Sequence, residues 1–193
     1  CTRWPHMNRL QQTFNRLRRA RRTALIPFVM GGDPTAATTI ELVCALAEAG
    51  ADVIEIGVPF SDPLADGPII QRASNRALAH GTTPQTVLDI VRRARRRIAI
   101  PIVLLSYYNP IVRYRDRRGT ADDPAPFVQA ARAAGVDGLI IPDLPLEEGE
   151  PFRRAARGAG VAPIFLATLT SSTARLRRIA RASEGFIYYV SLT

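Results

Sequence analysis

Three carboxylates lie close together in the chain at Glu55, Asp62 and Asp66, inside the stretch Ile54–Gly67, which reads IEIGVPFSDPLADG. The first part, Ala51 to Gly57, is rich in β-branched residues and closes on glycine, the pattern of a buried strand. Alternate side chains of a strand share a face, so Val53, Glu55 and Gly57 point one way and Ile54 and Ile56 the other. Glu55 is thus a carboxyl group among apolar neighbours, where an unpaired charge is costly. Such a group pairs with a cation, takes up a proton, or is kept for acid–base work. The second part is a loop stiffened by prolines that carries Asp62 and Asp66. A strand running into a carboxylate-bearing loop is where α/β enzymes place their active sites. Plainer roles stay open: Glu55 salt-bridged to an arginine, Asp66 capping a helix that opens at Pro68, Asp62 as a turn former.

The elements that must hold these groups alternate in type. Strands are expected over Ala24–Met30, Ala51–Gly57, Pro101–Tyr107, Gly138–Ile141, Val161–Leu166 and Phe186–Val190. Helices are expected over Thr35–Ala49, Pro68–His80, Pro84–Arg97, Pro124–Ala134, Leu146–Arg157 and Thr173–Arg181. Six strands alternating with helices imply a parallel sheet with both faces covered. The active-site loop at a strand's carboxyl end favours a (β/α) barrel over an open sheet. Ahead of the first strand, residues 1–23 are basic and free of acidic residues, with Leu10, Phe14 and Leu17 at helical spacing. This suits an amphipathic helix covering the barrel's bottom; a transit peptide has a similar composition.

At 193 residues the chain fits one domain, 1–193. A full barrel has eight strands, so this one is expected to be incomplete, about six of eight, lacking its C-terminal strands. The two edges left open would then be covered by further chain or by another polypeptide. Cys1 in place of an initiator methionine suggests clipping at the other end as well.

The net charge of +9 raises a nucleic-acid reading. All 26 basic residues are arginine, however, and they decorate helices without the interleaved aromatics of a base-stacking platform. With no lysine anywhere, neither Schiff-base catalysis nor a P-loop is available. No His/Cys/Asp grouping has metal-ligand spacing. No apolar run approaches a membrane span, and no charged-then-apolar stretch reads as a secretory leader, so none is expected. Two cysteines do not make a disulfide framework. A cytoplasmic protein is expected.

The segment Ile54–Gly67 resembles the signature of the tryptophan synthase α-subunit family. Ile26-Pro27-Phe28-Val29 with Gly32-Asp33-Pro34 resembles that family's first strand and loop, Tyr107-Tyr108-Asn109-Pro110 its third strand end, and Pro142-Asp143-Leu144-Pro145 with Glu147-Glu148 its fourth. The similarity runs from about Phe14 to the last residue. It implies a TIM barrel cleaving indole-3-glycerol phosphate to indole and glyceraldehyde 3-phosphate without metal or cofactor of its own. By family match Glu55 is the general acid and base, with its pKa raised by burial. Asp66 is the anion that holds the indole N–H. Phe28, Ile70, Leu105, Tyr107, Ile140 and Tyr188 form the substrate slot, with Tyr107 near the reacting side chain. The family's partner is a β subunit, which carries the pyridoxal phosphate, in an α2β2 assembly. Pro59, Asp62, Asn109 and Pro145 match positions at that contact. The resemblance also implies that the chain stops before the sixth loop's Gly-Val-Thr-Gly and lacks the phosphate-gripping loops beyond. The competing expectation is a non-catalytic barrel fragment that binds or activates the β subunit.

Overall fold

The structure is a computed structural model that describes residues 8–114 and 122–191. Its strands are β1 (Phe28–Met30), β2 (Ile54–Gly57), β3 (Ile102–Leu105), β4 (Gly138–Ile140), β5 (Ala162–Ile164), β6 (Leu166–Thr168) and β7 (Tyr188–Val190). Its helices are α1 (Arg9–Arg19), α2 (Ala36–Glu48), α3 (Pro68–Ala79), α4 (Pro84–Ala94), α5 (Tyr108–Val112), α6 (Ala125–Ala134), α7 (Glu150–Ala159) and α8 (Thr173–Ala182). Strands β1 to β5 form one all-parallel sheet in sequence order, and β6 pairs in parallel with β7. This is the wall of a (β/α) barrel.

Helix ends follow local chemistry. Thr35, Thr83 and Ser172 accept backbone N–H bonds at the starts of α2, α4 and α8. Gly135 and Gly160 end α6 and α7 in the left-handed region that favours glycine. Three expectations change. The strand expected over Val161–Leu166 is broken at Phe165, whose N–H is taken by Ser183 Oγ at 3.1 Å while its carbonyl accepts Tyr188 N–H. The fifth unit thereby changes neighbours, from β4 on one half to β7 on the other. The arginine-rich loop after β3 begins with a short helix, α5; residues 115–121 of it lie outside the described residues. The helix expected from Leu146 starts at Glu150, after a series of turns.

The two faces of β2 separate as alternation requires. Ile54 and Ile56 pack with Ile102, Leu104, Leu139 and the helices. Val53 packs with Val103, Ile140, Ala162, Ile164 and Leu10 on the concave side. Helix α1 lies under that concave face. Phe14 meets Phe186, which precedes β7, at 5.6 Å. Arg16 and Arg22 lie 3.7 and 3.8 Å from Asp52, ahead of β2, and Arg9 Nε lies 3.1 Å from Asp137, ahead of β4. The expected bottom cover is therefore present. Among the described residues no helix is long and apolar enough to cross a membrane.

Candidate functional site

The register stacks the concave side chains in layers. One layer runs Phe28, Glu55, Val103, Gly138, Ala162; the next towards the carboxyl ends runs Met30, Gly57, Leu105, Ile140, Ile164. Glu55 thus sits between a phenylalanine and a valine. Gly57 stands on its mouth side, where any side chain would close the way out. The Phe28 ring fills part of the space that glycine leaves: a Cβ on Gly57 would sit 2.7 Å from Phe28 Cζ and 3.1 Å from Met30 Cε. Gly57→Ala is therefore expected to displace the Phe28 ring over Glu55. The cost is about 1–3 kcal/mol of stability as in other overpacked cores, checked by chemical denaturation. With substrate the variant should also show a raised KM.

Glu55 is 4% exposed, and its Oε1 has no hydrogen-bond partner among the described residues. No ion pair reaches it there either, so the arginine-paired alternative does not hold. Burial alone pushes its pKa to about 7. Desolvation disfavours the charged form and nothing nearby offsets it. A carboxyl poised near neutrality can both give and take a proton.

Asp66 lies at the end of the loop after β2 and is half-buried. It does not cap α3: the cap position is Gly67, which makes no side-chain bond, and Pro68 supplies the first helical residue. Its carboxylate instead meets the Tyr107 hydroxyl, which lowers a pKa that burial raises. The same hydroxyl accepts the Ala65 N–H at 2.9 Å. Ser74 on α3 bonds both N–H and C=O of Phe60 at 3.0 Å, and Gln71 Nε2 donates to the Asp66 carbonyl at 2.8 Å. The loop is thus fastened from two sides. These fastenings are what sequence reasoning missed; Gln71 and Ser74, three residues apart on α3, are a faint sign of one polar face.

Glu55 and Asp66 both lie near enough to Tyr188 for their charges to act on its phenol. The Tyr188 phenol, half-buried on β7, has its pKa raised by burial and then by the charges of both Glu55 and Asp66. Of the other expected slot residues, Leu105, Ile140 and Tyr188 belong to the concave apolar cluster, and Phe28 roofs Gly57. Ile70 is half-buried on the first turn of α3. Tyr107 is buried at 2% exposure and its hydroxyl serves the Asp66 loop. Of the residues expected at a partner contact, Asp62, Asn109 and Pro145 are exposed on the loops after β2, β3 and β4, whereas Pro59 is buried. Among the described residues no group of His, Cys, Asp or Glu is gathered as for a metal ion.

Known proteins are similar to this chain in sequence and fold. The sequence model of the family described as "Tryptophan synthase alpha chain" matches residues 14–193. A relative of that name from Geobacter sulfurreducens is 50% identical over 187 residues, covering 97% of this chain and 68% of the relative. Another, from Aromatoleum aromaticum, is 54% identical, covering 96% and 66%. Among solved structures, the tryptophan synthase subunit alpha of Legionella pneumophila superposes with a TM-score of 0.87 at 40% identity, over 96% of this chain and 68% of that one. A chain from the tryptophan synthase α2β2 complex of Pyrococcus furiosus superposes with a TM-score of 0.81 at 40% identity, over 88% and 66%. The chain spans about two thirds of the length of these relatives. With the parallel barrel wall, the carboxyl pair at its mouth and a match from Phe14 onward in agreement, this protein belongs to the tryptophan synthase alpha chain family.

Proposed function

We propose that this chain is a carbon–carbon lyase of the α-subunit type, cleaving indole-3-glycerol phosphate to indole and glyceraldehyde 3-phosphate by acid–base chemistry. The observation that carries this reading is a buried carboxyl group of pKa about 7, its Oε1 without a partner among the described residues, near the same Tyr188 phenol as a second carboxylate.

Indole is a poor carbanion leaving group and departs well only after C3 is protonated. Glu55, protonated at the start, gives its proton to C3 and leaves a positive charge on the ring nitrogen. Asp66, facing the N–H, stabilises that charge as it forms. The Glu55 carboxylate then takes the side-chain hydroxyl proton. The hydroxyl carbon becomes an aldehyde, the carbon–carbon bond breaks, and its electron pair neutralises the ring. The proton count closes on Glu55, ready for another cycle, and the step needs no cofactor from this chain. Phe28, Leu105, Ile140 and Tyr188 offer the apolar slot for the ring, and Ile70 its edge.

The assembly follows from the same mouth. Asp62, Asn109 and Pro145 are exposed on the loops after β2, β3 and β4, and Leu64 and Leu169, on the loops after β2 and β6, are exposed at 94% and 60%. Exposed apolar side chains at the carboxyl ends of the strands suit a protein contact, whose occupant is a pyridoxal-phosphate β subunit in an α2β2 complex.

Asp66→Asn tests the reading. With the β subunit present, indole formation from indole-3-glycerol phosphate is expected to fall on the order of 10²–10³-fold in kcat, as for other lost charge-stabilising groups. The unfolding midpoint should be nearly unchanged. Full activity in that variant, or β-subunit stimulation by the wild-type chain without any indole formed, would overturn the lyase assignment.

A further inference from the structure

The turn at the carboxyl end of β3 is bonded on both sides. From the loop after β4, both oxygens of Asp143 accept the Tyr108 N–H, at 2.9 and 3.1 Å. Tyr107, at the cap position of α5, has no capping side-chain bond of its own, so that acceptor comes from thirty-five residues away. On the other side the Tyr107 phenol accepts the Ala65 N–H at 2.9 Å and meets the Asp66 carboxylate. Its ring packs on Phe60 with centroids 5.4 Å apart and planes 33° apart. Three successive loops at the barrel mouth are therefore joined in series: Asp143 to the Tyr107–Tyr108 backbone, and the Tyr107 side chain to Ala65 and Asp66.

We infer that Asp143 is a positioning residue for Asp66: by fixing the backbone from which Tyr107 projects, it sets where the Tyr107 hydroxyl holds the loop after β2. The inference rests on the site proposed above but concerns a residue that does not touch substrate. The tie is directional. A carboxylate spanning one N–H with both oxygens tolerates little rotation of the turn, and the long, buried tyrosine carries any rotation to its hydroxyl. Asp143 is also near enough for its charge to act on the Tyr107 phenol. A merely local turn residue would steady only its own loop and the turn it bonds.

Amide hydrogen exchange read by mass spectrometry on the full chain separates the two roles. Asp143→Ala, Tyr107→Phe and the double variant are compared with wild type at peptides covering residues 58–67 and 106–114. Asp143→Ala is expected to speed exchange at Ala65 and Asp66 at least about threefold, since their protection reflects local opening. Tyr107→Phe should do the same, and the double variant no more than Tyr107→Phe, because members of one series are not additive. Asp143→Asn, which keeps an acceptor oxygen, should restore most of the protection. If Asp143→Ala does not fold, Asp143→Ser, too short to span the N–H, carries the same expectations. Faster exchange confined to residues 106–114, or effects that simply add, overturn the inference. With substrate and β subunit, the Asp143→Ala defect is expected in kcat rather than in KM. Coupling between the loops without any lyase activity overturns the functional reading alone. Lyase activity without the coupling overturns the positioning role alone.

Discussion

Glu55→Gln is expected to yield a folded protein that makes no indole and that, above pH 7, resists denaturation better than the wild type. The first half follows from the absence of a substitute in the five-stranded sheet, where Glu55's layer is otherwise Phe28, Val103, Gly138 and Ala162. Losing that proton carrier is expected to lower kcat by at least about 10³-fold, towards the upper end for general acid–base catalysis. The second half is linkage. The folded-state pKa of about 7 lies above the ordinary 4.5. Stability is therefore full below about 4.5, falls as pH rises through 7, and then levels off. A displacement of that size corresponds to ~3 kcal/mol. Glutamine, never charged, escapes the loss. Urea unfolding of the two proteins at pH 5 and pH 8 is the measurement: similar stability at pH 5, and a gap of up to ~3 kcal/mol in favour of the variant at pH 8. An equal stability difference at both pH values would mean that Glu55 is not buried as an isolated acid. The wild-type kcat/KM should decline on an alkaline limb set by the same group.

Asp137→Ala is expected to produce the largest loss of stability. Asp137 is 1% exposed and stands just ahead of β4. One oxygen accepts the Ile102 N–H at 2.9 Å and pairs with Arg95, while the other faces Arg9 Nε at 3.1 Å. Arg95 is itself largely buried; it also bonds the carbonyls of Gly135 and Ile100, and burial pulls its pKa down against the Asp137 charge. Removing the carboxylate leaves a buried guanidinium facing only carbonyl dipoles and an orphaned N–H on β3. Breaking one partner out of such a pair costs ~3–5 kcal/mol, enough to lower Tm by roughly 10 °C in a chain of this size. Arg9→Ala, at the half-exposed end of the same cluster, should cost less than about 1 kcal/mol. Calorimetry on the two variants decides the matter. Equal losses would show that α1, rather than the buried pair, is what Asp137 secures.

The rest of the arginine surplus lies mostly on the outside. Arg76 grips Asp33 with two nitrogens, and Arg97, Arg157 and Arg175 pair with Glu41, Glu184 and Glu147. The exposed ones among these pairs contribute little each. They account for several of the cations that first suggested nucleic acid, while the parallel wall and its carboxyl pair account for the family.

From the sequence alone came the order of strands and helices, the floor made by Leu10, Phe14 and Leu17, and the side of the sheet on which Glu55 sits. Those properties are local. A strand's alternation and a helix's periodicity are written in neighbouring residues, so reading them needs no knowledge of what lies opposite. Tertiary structure alone decided what each polar group meets. No arginine among the described residues reaches Glu55 despite 26 in the chain, so nothing offsets the burial that raises its pKa. Asp66 turned from a capping position to Tyr107, forty-two residues from Ala65, and Asp137 found Arg95 across an equal distance in sequence. The break at Phe165 belongs with these, because it depends on Ser183 arriving from the end of α8. The physical reason is common to all of them. Burial is dictated by pattern, but hydrogen bonds and ion pairs act over a few ångströms, so their partners exist only once the chain has closed on itself.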